Sequence, residues 1–108
     1  MRLIISARGM VLTAAGRRLV ERKLGKLDRV LPQALEARVT CQAEKFRRTV
    51  RIRLQARRHI FSSAATAAAF AVAVDNAVEA LRRQICESKD RRRSRRSPGD
   101  AELIEPVA

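Results

Sequence analysis

The chain has 108 residues, 46% of them apolar, and 24 Lys and Arg against 11 Asp and Glu, which gives a net charge of +13 and a pI near 11.6. That length allows one small core and a short tail, and self-repulsion at this charge calls for a polyanionic partner. No window reaches the roughly 18 apolar residues of a membrane span, no apolar leader with a cleavage site opens the chain, and Cys41 and Cys86 lack metal-ligand spacing. A cytoplasmic protein with reduced thiols is therefore expected, with no membrane partner.

In chain order, Arg2–Arg8 is a short apolar-rich run (Leu3, Ile4, Ile5) that suits a first strand, and Gly9 breaks it. Thr13 offers a side-chain oxygen as a helix N-cap. Val20, Leu24, Leu27 and Leu31 follow at helical spacing up to Pro32, opposite a face bearing Arg17, Arg18, Glu21, Arg22, Lys23, Lys26 and Arg29. Gly16 and Gly25 weaken this helix slightly.

Two segments of strict alternation come next. Ala37, Val39, Cys41 and Ala43 face one way and Arg38, Thr40, Gln42 and Glu44 the other. Val50, Ile52, Leu54 and Ala56 then oppose Thr49, Arg51, Arg53 and Gln55. Period two with one apolar face predicts half-buried antiparallel strands, joined by a basic loop over 45–48. A third strand is expected over 59–67 with Phe61, Ser63 and Ala65 inward, after a turn of Arg57, Arg58 and His59 that has no turn-forming Gly or Asn. The alanine-rich stretch 64–73 suits helix as well as strand, and the change is placed near Ala68.

The run Phe70–Arg96 organises the rest. Phe70, Val74, Ala77, Val78, Leu81 and Ile85 lie on one helical stripe. Beyond it the run turns basic: Arg82, Arg83, Lys89, Arg91, Arg92, Arg93, Arg95 and Arg96 face only Glu87 and Asp90, eight cations against two acids, or six net positive charges. A helix anchored at one end and cationic at the other fits a polyanion such as RNA or DNA, and the preference for Arg over Lys suits forked bonds to phosphate. Residues 97–108 hold Asp100, Glu102 and Glu105 and no cation, so the body carries +16 and the tail's three negative charges bring the total to +13. The expected organisation is a domain over 1–96 and a short, acidic, disordered tail over 97–108. The fold class is α+β in the order β-α-β-β-β-α, a four-stranded sheet with two helices packed on one face and Arg51 and Arg53 on the other.

Catalysis has no support in these residues. The one histidine, His59, sits in a turn with no Asp, Glu or Cys beside it, the acids are interleaved with cations, and no Gly-rich phosphate loop occurs. No enzyme, metal, cofactor or small-molecule substrate is therefore expected. The sheet lacks the Tyr and Trp with which an RNA-recognition motif stacks bases, and the Gly-x-x-Gly loop of a KH domain is absent. Binding is expected to rest on phosphate contacts and shape.

Several pieces match a known family in order and spacing. They are Ser6-x-Arg8 after the first strand, Thr13, Val20-x-x-Lys23-Leu24-x-Lys26-Leu27, Glu44-Lys45, Asp75, Leu81-x-Arg83-Gln84 and Lys89-Asp90. Over about 1–93 the chain resembles the short-type ribosome hibernation-promoting factors, also called ribosomal subunit interface proteins or the sigma-54 modulation family. The resemblance implies a fold similar to a double-stranded-RNA-binding domain. It also implies binding to the small ribosomal subunit and its rRNA between head and body, where mRNA and tRNA lie. Translation would be inhibited by occupancy, and idle ribosomes preserved in stationary phase or stress. Family contacts to rRNA correspond here to Arg83, Lys89 and Arg91; charge adds Arg82, Arg92 and Arg93, and Lys23, Lys26 and Lys45 complete the candidate RNA-binding set. Ala69-Phe70-Ala71 stands where the family usually has Asp-Met-Tyr. The long type's dimerisation domain has no counterpart, so a monomer is expected, and whether ribosomes are paired or kept single is left open. The alternative function is a general duplex RNA- or DNA-binding architectural protein.

Overall fold

The computed structural model describes residues 1–32 and 34–96, and of residues 91–96 the backbone alone. The expected tail over 97–108 lies outside the described residues. The elements are β1 (Arg2–Arg8), α1 (Ala14–Gly25), α2 (Leu27–Val30), β2 (Ala34–Glu44), β3 (Arg47–Ala56), β4 (Ile60–Ala67) and α3 (Phe70–Arg96). The expected β-α-β-β-β-α order is thus present.

The four strands stand in sequence order β1-β2-β3-β4. β2 and β3 pair antiparallel, as do β3 and β4, whereas β1 runs parallel to β2. A helix lies between β1 and β2 in the chain, and only such a crossover returns a strand in the same direction. Alternation sorts the faces: Leu3, Ile5, Val39, Cys41, Val50, Ile52, Leu54 and Phe61 point to the helices and enter the core. Arg38, Arg51 and Arg53 point away and are exposed.

Thr13 caps α1 as expected, its Oγ1 accepting from the Gly16 N–H at 3.0 Å. Val20, Leu24, Leu27 and Leu31 are all buried, but they do not share one helix. The segment breaks at Lys26, just after Gly25, into α1 and the single turn α2. Leu31 then leaves helical geometry at φ −135° and ψ 79°. Proline's ring crowds the residue before it out of the α region, so Pro32 is the physical stop.

Two boundaries differ from expectation, while the strand-to-helix change expected near Ala68 is found there. The first hairpin loop is two residues, Lys45 and Phe46, because Glu44 pairs with Arg47 and both Arg47 and Arg48 extend β3. β4 begins at Ile60, after the Ala56 N–H donates to the His59 carbonyl at 2.9 Å. The switch from strand to helix falls between Ala67 and Phe70. There the alanines favour helix on their own, and pairing of Ala67 with Arg48 holds the strand to its end against that preference.

α3 lies across the sheet on its apolar stripe. Val74, Ala77, Leu81 and Ile85 are fully buried, and each of the larger side chains contributes roughly 1.5–3 kcal/mol by leaving water. Ala73 and Ala77 are small enough to bring the helix close to β4. That approach lets the inward-facing Ser63 Oγ donate to the Ala77 carbonyl at 2.8 Å. Further along, the Gln84 amide donates to the Ser62 carbonyl at 2.7 Å. The two contacts fix α3 antiparallel to β4, so its basic half leaves the sheet at the end where β4 begins.

Candidate nucleic-acid interface

Among the described residues no charged or polar side chain is buried, so the positive charge is at the surface. Its arrangement follows from helical geometry. Asp75, Arg82 and Lys89 are seven residues apart, a spacing that drifts only about 20° per step and keeps them on one stripe of α3. Asp75 accepts an ion pair from Lys23 of α1 at 2.8 Å, so this stripe faces α1 and α2. Lys23, Lys26, Arg82 and Lys89 are thereby brought along the same flank. Arg83 falls about 100° further round the helix, and position 91 about 180° from Arg82. After Ile85, the last buried residue of α3 among those whose side chains are described, eleven more residues continue the axis to Arg96, about 16 Å at 1.5 Å each. The basic segment is thus a post with cationic positions on every side and not a one-sided face. The side chains of Arg91, Arg92 and Arg93 lie outside the described residues.

Two candidate cations already have partners. The Lys23 ammonium is tied to Asp75 and only partly exposed. Arg82 makes a forked pair with Glu79 at 3.2 and 3.0 Å. Hydrogen bonding from Arg82, aided by the charge of Arg83, holds the Glu79 carboxyl below the usual carboxylate range. Arg83 and Lys89 form no ion pair among the described residues.

Lys45 does not join this group. It sits at the tip of the β2–β3 hairpin, while the basic half of α3 leaves at the opposite end of the sheet. β2 alone has 11 residues, and at about 3.3 Å per residue the two ends are roughly 35 Å apart. Conversely, the structure adds Arg29 in α2 and Arg57 and Arg58 in the β3–β4 turn, all exposed and at the end from which α3 emerges. In the sequence Arg57 and Arg58 read only as a poor turn. Their proximity to the helix depends on the direction of α3, which no local pattern encodes.

Other chemistry is sparse. Burial raises the Cys41 thiol above its ordinary pKa and leaves it an unreactive core residue; Cys86 is exposed on α3. His59 is exposed, its ring 6.0 Å from that of Phe61. Among the described residues no group of three His, Cys, Asp or Glu could hold a metal ion, and no helix is long and apolar enough to cross a membrane.

These features define a small, strongly basic α+β protein with a four-stranded mixed sheet covered on one face. Residues 3–93 match the family described as Sigma 54 modulation protein / S30EA ribosomal protein, and the chain belongs to that family. It is similar in structure to a ribosomal subunit interface protein from Coxiella burnetii, with a TM-score of 0.79 over 83% of this chain and 99% of that one, at 18% identity. It is also similar to the N-terminal domain of Protein Y from Thermus thermophilus, with a TM-score of 0.71 over 79% and 96% of the two chains, at 26% identity. No curated protein matches it.

Proposed function

We propose that this protein is a ribosome-associated translation inhibitor that binds the small subunit and its rRNA at the mRNA and tRNA channel. It acts in the cytoplasm, without a catalytic step and as a monomer, preserving idle ribosomes in stationary phase or stress. The observation that carries the reading is the family match over residues 3–93. The basic post of α3 supports it, since a helix with cations on all sides suits a cleft walled by RNA phosphates better than a flat surface. Arg83, Lys89 and Arg91 are assigned the main phosphate contacts, with Arg82, Arg92, Arg93 and Lys26 contributing. The domain is taken as 1–96, with 97–108 as an appended acidic tail.

The test is sedimentation of a stationary-phase lysate through a sucrose gradient, following this protein in each fraction. It should travel with small subunits or whole ribosomes, leave them as salt rises, and be displaced by mRNA with initiator tRNA. The triple variant R83E/K89E/R91E should keep a folded circular-dichroism spectrum and lose ribosome association. Wild-type-like association by that folded variant removes the site assignment. Equal affinity of the wild type for any duplex of matched length would favour a general duplex-binding protein instead.

A further inference from the structure

The hairpin between β2 and β3 is built against local preference. A two-residue hairpin turn is ordinarily made of Asn, Asp or Gly, because at least one central residue takes a positive φ. Here the turn is Lys45-Phe46, and Lys45 is held at φ 43°. Phe46 projects from it with 86% of its surface exposed. The ring adds nothing to the core, and water is a poor environment for it. The other two phenylalanines, Phe61 and Phe70, pack on the core, and the chain has no Tyr or Trp. Phe46 is therefore the one exposed phenylalanine ring, and the exposed imidazole of His59 lies in the β3–β4 turn at the opposite end of the sheet.

Its surroundings are cationic. Lys45 and Arg47 flank it and both are exposed; Arg48 follows, and Arg8 of β1 stands at the same end of the sheet beside Gln42. The nearby acid, Glu44, accepts from the Gln42 amide at 2.9 Å. The core of a protein–protein contact is depleted of charge and sets its aromatic among apolar neighbours. A lone ring between cations is instead the arrangement that holds single-stranded nucleic acid, with a base stacked on the ring and phosphates on the cations.

We infer that the hairpin tip is a base-stacking element, in which Phe46 stacks on an unpaired RNA base while Lys45 and Arg47 hold the adjoining phosphates. The inference rests on the RNA-binding reading above and extends it to a second site. Because the tip and the basic half of α3 lie at opposite ends of the sheet, they would engage separate RNA elements. A duplex keeps its bases stacked on one another, so the tip selects loops and single strands.

The test uses F46A, F46L and F46W in the full chain, with isolated small subunits, a 12-nucleotide single-stranded RNA and a 12-base-pair RNA duplex as probes. F46A should weaken subunit binding roughly 10-fold, the usual cost of losing one stacked base, with an unchanged dependence on salt because no charge is lost. F46W should retain affinity. Its indole, the only one in the chain, should be quenched by subunits and by the single strand but not by the duplex. Binding of F46A equal to wild type, rescue by F46L as complete as by F46W (an apolar contact to a ribosomal protein), or a bound indole that is not quenched each overturns the inference. If the single strand quenches F46W while the wild type ignores subunits, the stacking element stands and the ribosome reading falls.

Discussion

Lys23 shows how a residue's role depends on its neighbour. Its charge and spacing qualify it as a phosphate contact, yet its ammonium lies 2.8 Å from Asp75 and joins α1 to α3. Both side chains keep partial access to water, so the pair is worth about 0.2–1 kcal/mol, as measured for comparable pairs. A double-mutant cycle of Lys23→Ala and Asp75→Ala, followed by thermal denaturation, should return a coupling in that range. Lys23→Ala should also leave the salt slope of subunit binding unchanged. A slope reduced by about one ion would instead place Lys23 against a phosphate. Arg82 is similar in kind, its fork occupied by Glu79, which leaves the exposed Arg83 and the half-buried Lys89 as the cations of α3 without an ion pair among the described residues.

At the scale of elements, two glycines mark the entry and exit of α1 with opposite demands. Gly9 sits at φ 68°, and a Cβ there would lie 2.8 Å from the Ala43 carbonyl oxygen. Gly25 lacks a positive φ and meets nothing within 4 Å. Gly9→Ala should therefore destabilise the fold by about 1–3 kcal/mol, and Gly25→Ala should stabilise it by about 0.4–1 kcal/mol. Urea denaturation of both variants checks the pair, and a neutral Gly9→Ala would contradict the close approach of the β1–α1 loop to the first hairpin. Most elements were readable because their apolar residues repeat at 3.6 or 2. What was not readable was local competition: the break at Lys26, where the stripe runs on but the helix does not, and the turn at Lys45-Phe46, where cross-strand pairing of Glu44 with Arg47 overrides turn preference.

For the whole molecule, charge acts in two directions. A net charge of +13 repels itself in the compact state, and salt screens that repulsion over a Debye length of about 10 Å at 0.1 M. The same salt removes the gain from counterion release on binding RNA. Raising salt from roughly 50 to 200 mM should lower subunit affinity by about 10³–10⁵ for six to ten phosphate contacts, while the melting temperature of the free protein rises. Differential scanning calorimetry and subunit sedimentation across one salt series measure both. A melting temperature that falls with salt would show that self-repulsion does not limit stability.

The amino-acid sequence by itself determined the kinds and order of the elements, the core stripe of α3 and the excess of cations, because periodicity and charge are properties of neighbouring residues. Family membership is carried by the same short-range motifs. Only the tertiary structure decided that β1 runs parallel to β2, that Arg57 and Arg58 stand at the end from which α3 emerges, and that Lys45 stands at the other. Those relations depend on the direction in which each element crosses the sheet. That direction is fixed by contacts such as Ser63 with Ala77 and Gln84 with Ser62, between residues too far apart in the chain for any local pattern to join them.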